Sequence, residues 1–97
     1  MKITIDKDNY LKAIKEVVEL EREAITRIKV DKNRYTTIES IYGPRTMKKI
    51  EKAEKRVYKE AKKIGISKEN ADYEMTKNVK NMRRRVREHA EKIVEMQ

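Results

Sequence analysis

Residues 43–67 read GPRTMKKIEKAEKRVYKEAKKIGIS, and this stretch decides the fold. Gly43-Pro44 is a turn signal, and proline suits the first position of a helix, where no N–H is missed. Beyond it Met47, Ile50, Val57, Ala61 and Ile64 share one face at helical spacing. Tyr42 and Met47 have the spacing of a hydrophobic staple across that helix start. Gly65 is best able to take the left-handed conformation that ends a helix, and Ile66 is placed to fold back on Ala61. Ser67 or Asn70 then caps the next helix by accepting a free first-turn N–H. The stretch is therefore one helix, about 44–64, closed at both ends.

Downstream, apolar residues fall at 75, 79, 82, 86, 93 and 96, a heptad seam with His89 at the skipped position. Upstream, positions 11, 14, 18, 25 and 28, with Tyr10, Val17 and Ala24 beside them, predict an amphipathic helix over about 9–29. Asp6 or Asp8 is placed to cap it. Residues 2–6 alternate with period two, as in a short strand. In 30–43, Thr36 and Glu39 have capping-box spacing, which predicts a loop with one short helical turn carrying Ile38 and Ile41. The expected fold is all-α: three main helices at about 9–29, 44–64 and 68–96 in a small bundle with a long heptad-patterned C-terminal helix. A short strand at 2–6 is the one non-helical candidate. About 29 residues of final helix would reach roughly 43 Å and project beyond the others.

Composition narrows the function classes. The chain has 97 residues, the size of one domain, spanning 1–97. It carries 26 Lys plus Arg against 17 Asp plus Glu, a net charge of +9. With no Cys there is no disulfide scaffold, zinc finger or thiol nucleophile. Apolar runs are too short for a membrane span, so a cytoplasmic setting and no membrane partner are expected. Large apolar side chains are few, so helix pairing, homo-oligomerisation or a hetero-complex is expected to add stability.

The charge is concentrated. Residues 43–66 hold nine basic and three acidic side chains, and 77–87 hold six basic and none acidic. On the second main helix Arg45, Lys48, Lys52, Lys55, Lys59 and Lys62 are spaced 3, 4, 3, 4 and 3, which aligns them opposite the apolar face. The row runs about 26 Å. Like charges in a row repel, and a line of phosphates or an acidic protein surface would relieve that cost. Glu51 with Lys55 and Arg56 with Glu60 are ordinary helical pairs that would instead make it a solvated face. On the third helix Lys77, Lys80, Arg84 and Arg87 share an outward face. Arg83 and Arg85 flank the seam, where their stems can cover apolar side chains while their heads stay wet. Glu88, Glu91 and Glu95, or the acidic first helix, are their candidate ion-pair partners. Arg34, Tyr35 and Tyr42, near Gly43, form a candidate partner-contact loop, since Tyr and Arg are favoured at interface hot spots. The alternative is that these tyrosines anchor loops to a thin core.

Two short resemblances bear on function. Ala61-Lys62-Lys63-Ile64-Gly65-Ile66-Ser67 resembles the turn of a DNA-binding helix-turn-helix, which would make the next helix a recognition helix. That helix opens with Glu69, Asp72 and Glu74, which phosphates repel, and two successive caps account for the same residues. Ile41-Tyr42-Gly43-Pro44-Arg45 is similar to the turn before the second helix of three-helix chorismate mutases. That resemblance implies buried Arg and Lys around a dianionic substrate, but the Arg spacing departs from the pattern. No nucleophile–base pair, phosphate-binding Gly loop or metal cluster is legible, and His89 reads as a seam residue. The expectation is a non-enzymatic binding protein without cofactor or metal. It would grip the backbone of DNA or RNA without sequence specificity. The alternative is an adaptor or inhibitor, of the type carried by mobile elements, that docks its basic faces on an acidic partner such as a nucleic-acid-processing enzyme.

Overall fold

The structure, a computed structural model, describes residues 7–30, 34, 35 and 37–96, with side chains through residue 92. The described residues form four helices: α1 (Asp8–Val30), α2 (Ile38–Tyr42), α3 (Pro44–Lys63) and α4 (Lys68–Met96). The fold is all-α, as the periodicity predicts. The strand expected at 2–6 lies outside the described residues.

Local chemistry sets each boundary. The Leu11 N–H donates to the Lys7 carbonyl at 2.9 Å, opening α1. The capping box sits one residue later than its sequence spacing suggests. Thr37 caps α2 by accepting from the Ser40 N–H at 3.1 Å, and the Ser40 hydroxyl accepts from the Thr37 N–H at 3.0 Å. Gly43, between α2 and α3, has φ 76 and ψ 152, a backbone conformation essentially reserved for glycine. Pro44 follows at the first position of α3. At the other end Gly65 has φ 79. The Ile66 N–H donates to the Ala61 carbonyl at 2.9 Å and the Gly65 N–H to the Lys62 carbonyl at 3.3 Å, which completes a Schellman cap. The Ser67 hydroxyl then accepts from the Asn70 N–H at 3.2 Å, so Ser67, not Asn70, caps α4.

Tyr10 reaches Glu74 and Glu21 reaches Arg83, so α1 and α4 run parallel, offset by 62 to 64 residues. That offset sets Val30 level with residues 92–94. The expected overhang of α4 past α1 therefore shrinks to about one turn. α3 returns antiparallel and packs mainly on α1, with a sparser contact to α4, and α2 closes the end where α1 finishes. One apolar cluster joins Tyr10, Ile14 and Val17 of α1 with Val57 and Ala61 of α3 and Met75 and Val79 of α4. A second joins Ala24 and Ile25 with Ile41 of α2 and Val86 of α4, and Tyr35 packs against it.

The expected faces of α1 and α3 are buried or packed on the core, Val18, Ile28, Ile50 and Ile64 included, with one exception on each helix. On α1 the core line is Tyr10, Ala13, Ile14, Val17, Leu20, Ala24 and Ile25, while Leu11 is 54 % exposed. On α3 it is Thr46, Ala53, Val57 and Ala61, while Met47 is 44 % exposed, outside the core and with no buried staple role. The reason is close packing: five alanines (Ala13, Ala24, Ala53, Ala61 and Ala71) lie buried, and small side chains let helix backbones approach. Leu11 and Met47 lie at the edge of their stripes, outside that close contact.

Candidate polyanion-binding face

Arg45, Lys48, Lys52, Lys55, Lys59 and Lys62 are all exposed on α3. Most lie two residues from a core position, about 200° of helix rotation, so the row faces away from α1 and the core. Among the described residues none of these six makes an ion pair within 4.0 Å. The helical pairs that would have neutralised the row do not form. Arg56 turns to Glu16 of α1 at 3.7 Å, and Glu60 pairs with Lys63 at 3.3 Å.

On α4, Lys77, Lys80, Arg84, Arg85 and Arg87 are exposed. Arg84 lies 3.9 Å from Glu88, both largely in water, an arrangement worth little. Arg83 takes the alternative expected of it, pairing with the acidic first helix. Its head does not stay wet: it donates to Glu21 at 2.9 Å and to Glu54 at 3.2 Å. Burial opposes its charge, but the bond to Glu21 and the charges of Glu21 and Glu54 outweigh that and raise its pKa. Arg83 is therefore taken out of the binding face and becomes the tie between the three long helices.

In the candidate contact loop the two tyrosines make internal contacts, the alternative given for them. The Tyr42 hydroxyl donates to Glu21 at 2.6 Å, and Tyr35 is half-buried with the Arg34 guanidinium 5.7 Å from its ring centroid. Tyr42 and Tyr35 anchor the α2 segment to the bundle. His89 is half-buried with its Nε2 3.1 Å from the Tyr35 carbonyl.

The polar interior is what reading for apolar periodicity missed. Glu21 is 2 % exposed and Thr46 4 %. Arg27 donates to the Ile41 carbonyl at 2.8 Å, to the Tyr42 carbonyl, and to the Thr46 hydroxyl at 3.0 Å. A signal existed: Glu21 follows Val17 by four residues and precedes Ala24 by three, so it sits on the core stripe. Among the described residues no group of three or more His, Asp or Glu side chains is arranged to hold a metal ion, and no helix is long and apolar enough to cross a membrane.

Three tyrosines donate to carboxylates: Tyr10 to Glu74 at 2.9 Å, Tyr42 to Glu21, and Tyr58 to Asp72. Burial, then the bond to the carboxylate, then its negative charge push Tyr10 and Tyr58 up from 10.0 to about 12, and raise Tyr42 for the same reasons. A hydroxyl held above its unfolded pKa stabilises the fold below that value and loses the contribution as pH rises through the folded one. Stability is therefore expected to fall between about pH 10 and 12. Urea midpoints across that window check this, with Tyr10→Phe/Tyr42→Phe/Tyr58→Phe as control. The same pH dependence in the triple variant would assign the effect to other groups.

α3 and α4 form an antiparallel hairpin, tied by Tyr58 to Asp72 and Glu54 to Arg83. Helix-turn-helix pairs cross at about 90–120° instead, so the Ala61–Ser67 segment is a cap and turn. The half-buried arginines, Arg27 and Arg83, are engaged by the protein's own groups. Comparison of the chain with protein-family models, with curated proteins and with solved structures finds no match.

Proposed function

We propose that this chain is a small basic helical binding protein, not an enzyme, that grips the phosphate backbone of DNA or RNA without reading base sequence. The observation that carries the reading is the α3 row of six exposed cations with no ion-pair partner among the described residues. Five of the six are lysines, compact point charges that bind phosphates without a fixed hydrogen-bond geometry. A cytoplasmic setting is part of the proposal, because that is where such a polyanion is met.

The test is fluorescence anisotropy with a mixed-sequence duplex at about 50 and 200 mM salt. Binding is expected to weaken steeply with salt, with a log–log slope of about −0.9 for each phosphate neutralised. Lys48→Glu/Lys52→Glu/Lys55→Glu/Lys59→Glu is expected to weaken it at least about a hundredfold at low salt while circular dichroism stays helical. Absence of binding at low salt would overturn the proposal.

A second reading draws on a different feature. Ile38 is 42 % exposed and Met47 44 %, and with Ile50 and Tyr42 they edge a surface hollow of about 290 Å³ beside the Arg83 network. An apolar centre with charged surroundings suits a protein interface. The chain would then be an adaptor or inhibitor whose partner seats an apolar group in this hollow, edged by Glu51 and Glu54, while its basic faces meet an acidic surface of that partner, in a hetero-complex or a homo-oligomer. Its affinity would change little with salt.

A further inference from the structure

We infer that the outer face of α4 binds an unpaired stretch of DNA or RNA, with a base stacked on Tyr73 and phosphates along Lys77, Lys80, Arg84 and Arg87. This rests on the reading above in taking nucleic acid as the ligand, and it places a second contact that does not involve the α3 row. Positions 73, 77, 80, 84 and 87 are spaced 4, 3, 4 and 3, which puts the ring and four exposed cations on one face of one helix. The line from Tyr73 to Arg87 runs about 21 Å. Tyr73 is the tyrosine that the fold does not use. The hydroxyls of Tyr10, Tyr42 and Tyr58 bond carboxylates, and Tyr35 packs on the second apolar cluster. Tyr73 is 71 % exposed and makes no hydrogen bond or ring contact among the described residues.

A surface hollow lies on either side of Tyr73. One of about 550 Å³ opens toward α1, edged by Ile66 and Asn70, and one of about 600 Å³ toward α3, edged by Asp72 and Thr76. A flat group therefore has room against the ring. The charges divide the face in two. Around the ring stand Glu69, Asp72 and Glu74, with Asp72 and Glu74 held by Tyr58 and Tyr10. They repel a phosphate but not an uncharged base. From residue 77 to 87 every charged side chain is basic. A strand thus has one favourable placement, a base at the tyrosine and phosphates toward Arg87. Every base has a face that can stack, so the site does not read sequence. A duplex keeps its bases stacked inside and offers Tyr73 a face only at an end.

The experiment measures, by anisotropy across the same salt range, a thymidine strand of about eight nucleotides and an abasic sugar–phosphate strand with as many phosphates. Each variant is confirmed helical by circular dichroism. Wild type is expected to bind the thymidine strand at least about fivefold more tightly than the abasic one. Tyr73→Ala is expected to remove that preference and leave the affinity and salt slope of the abasic strand unchanged, while Tyr73→Phe keeps the preference. Lys77→Gln/Lys80→Gln is expected to flatten the slope for the thymidine strand by about 1.4 units, about 0.7 for each phosphate no longer neutralised. No preference in wild type, a preference that survives Tyr73→Ala, or a slope indifferent to the Lys77 and Lys80 pair would each overturn the inference and leave the phosphate-binding reading standing on α3. Failure to bind either strand also overturns it, and the duplex measurement above then decides the phosphate-binding reading separately.

Discussion

Arg83→Leu is expected to destabilise the fold by about 3 kcal/mol, read as a lowered urea midpoint with an unchanged slope. The cause lies in Glu21, which is 2 % exposed and accepts from Arg83 and from Tyr42. Without the guanidinium a carboxylate stays buried with one neutral donor, and removing one member of such a pair typically costs about 3–5 kcal/mol. The lower end applies because the Arg83 side chain is 35 % exposed, so water reaches the site once it is cut back. Glu21→Leu is expected to cost less, since Arg83 keeps Glu54 at 3.2 Å and can turn toward solvent. The double variant Glu21→Leu/Arg83→Leu is expected to recover most of the stability, because no charge is then stranded. Additive effects would show that the pair is not coupled.

The second large effect is expected at Arg27. Arg27→Met keeps the apolar stem but removes the donors that hold the Ile41 and Tyr42 carbonyls and the Thr46 hydroxyl. Those carbonyls sit at the end of the short helix α2, where the helix itself supplies no partner. Hydrogen bonds to a charged donor are worth about 1.5–3 kcal/mol each and do not add fully, so a total of about 3 kcal/mol is expected. The destabilisation should be local first. Hydrogen exchange at the Ile41 and Gly43 amides, which bond Thr37 and Glu39, is expected to quicken more than at Val57 in the α3 core. Uniform acceleration would show instead that Arg27 supports the whole bundle.

Much of the fold was legible because its signals are local. Pro44 and Gly65 bracket α3, Ser67 starts α4, and the seam through Met75, Val79, Met82 and Val86 follows the heptad. The exposed α3 row was legible too, because 3-and-4 spacing alone puts charges on one face. The exceptions share a cause. Met47 and Leu11 turn outward, and Thr46 and Glu21 inward, because the centre of a helix's buried face depends on where neighbouring helices sit. Alanine-rich seams allow a close approach, which leaves a large side chain at the edge of a stripe outside the contact.

The sequence by itself determined an all-α chain, the ends of its long helices, and the basic outer face of α3, since caps, periodicity and charge spacing act within a few residues. Tertiary structure alone decided which charged groups are buried. Arg83 stands in a run of otherwise exposed arginines, and nothing local separates it from Arg85, which flanks the seam on its other side. Glu21 and Glu54, on two other helices, draw its head inward because a buried carboxylate must find a cation. That choice leaves Arg84, Arg85 and Arg87 on the surface.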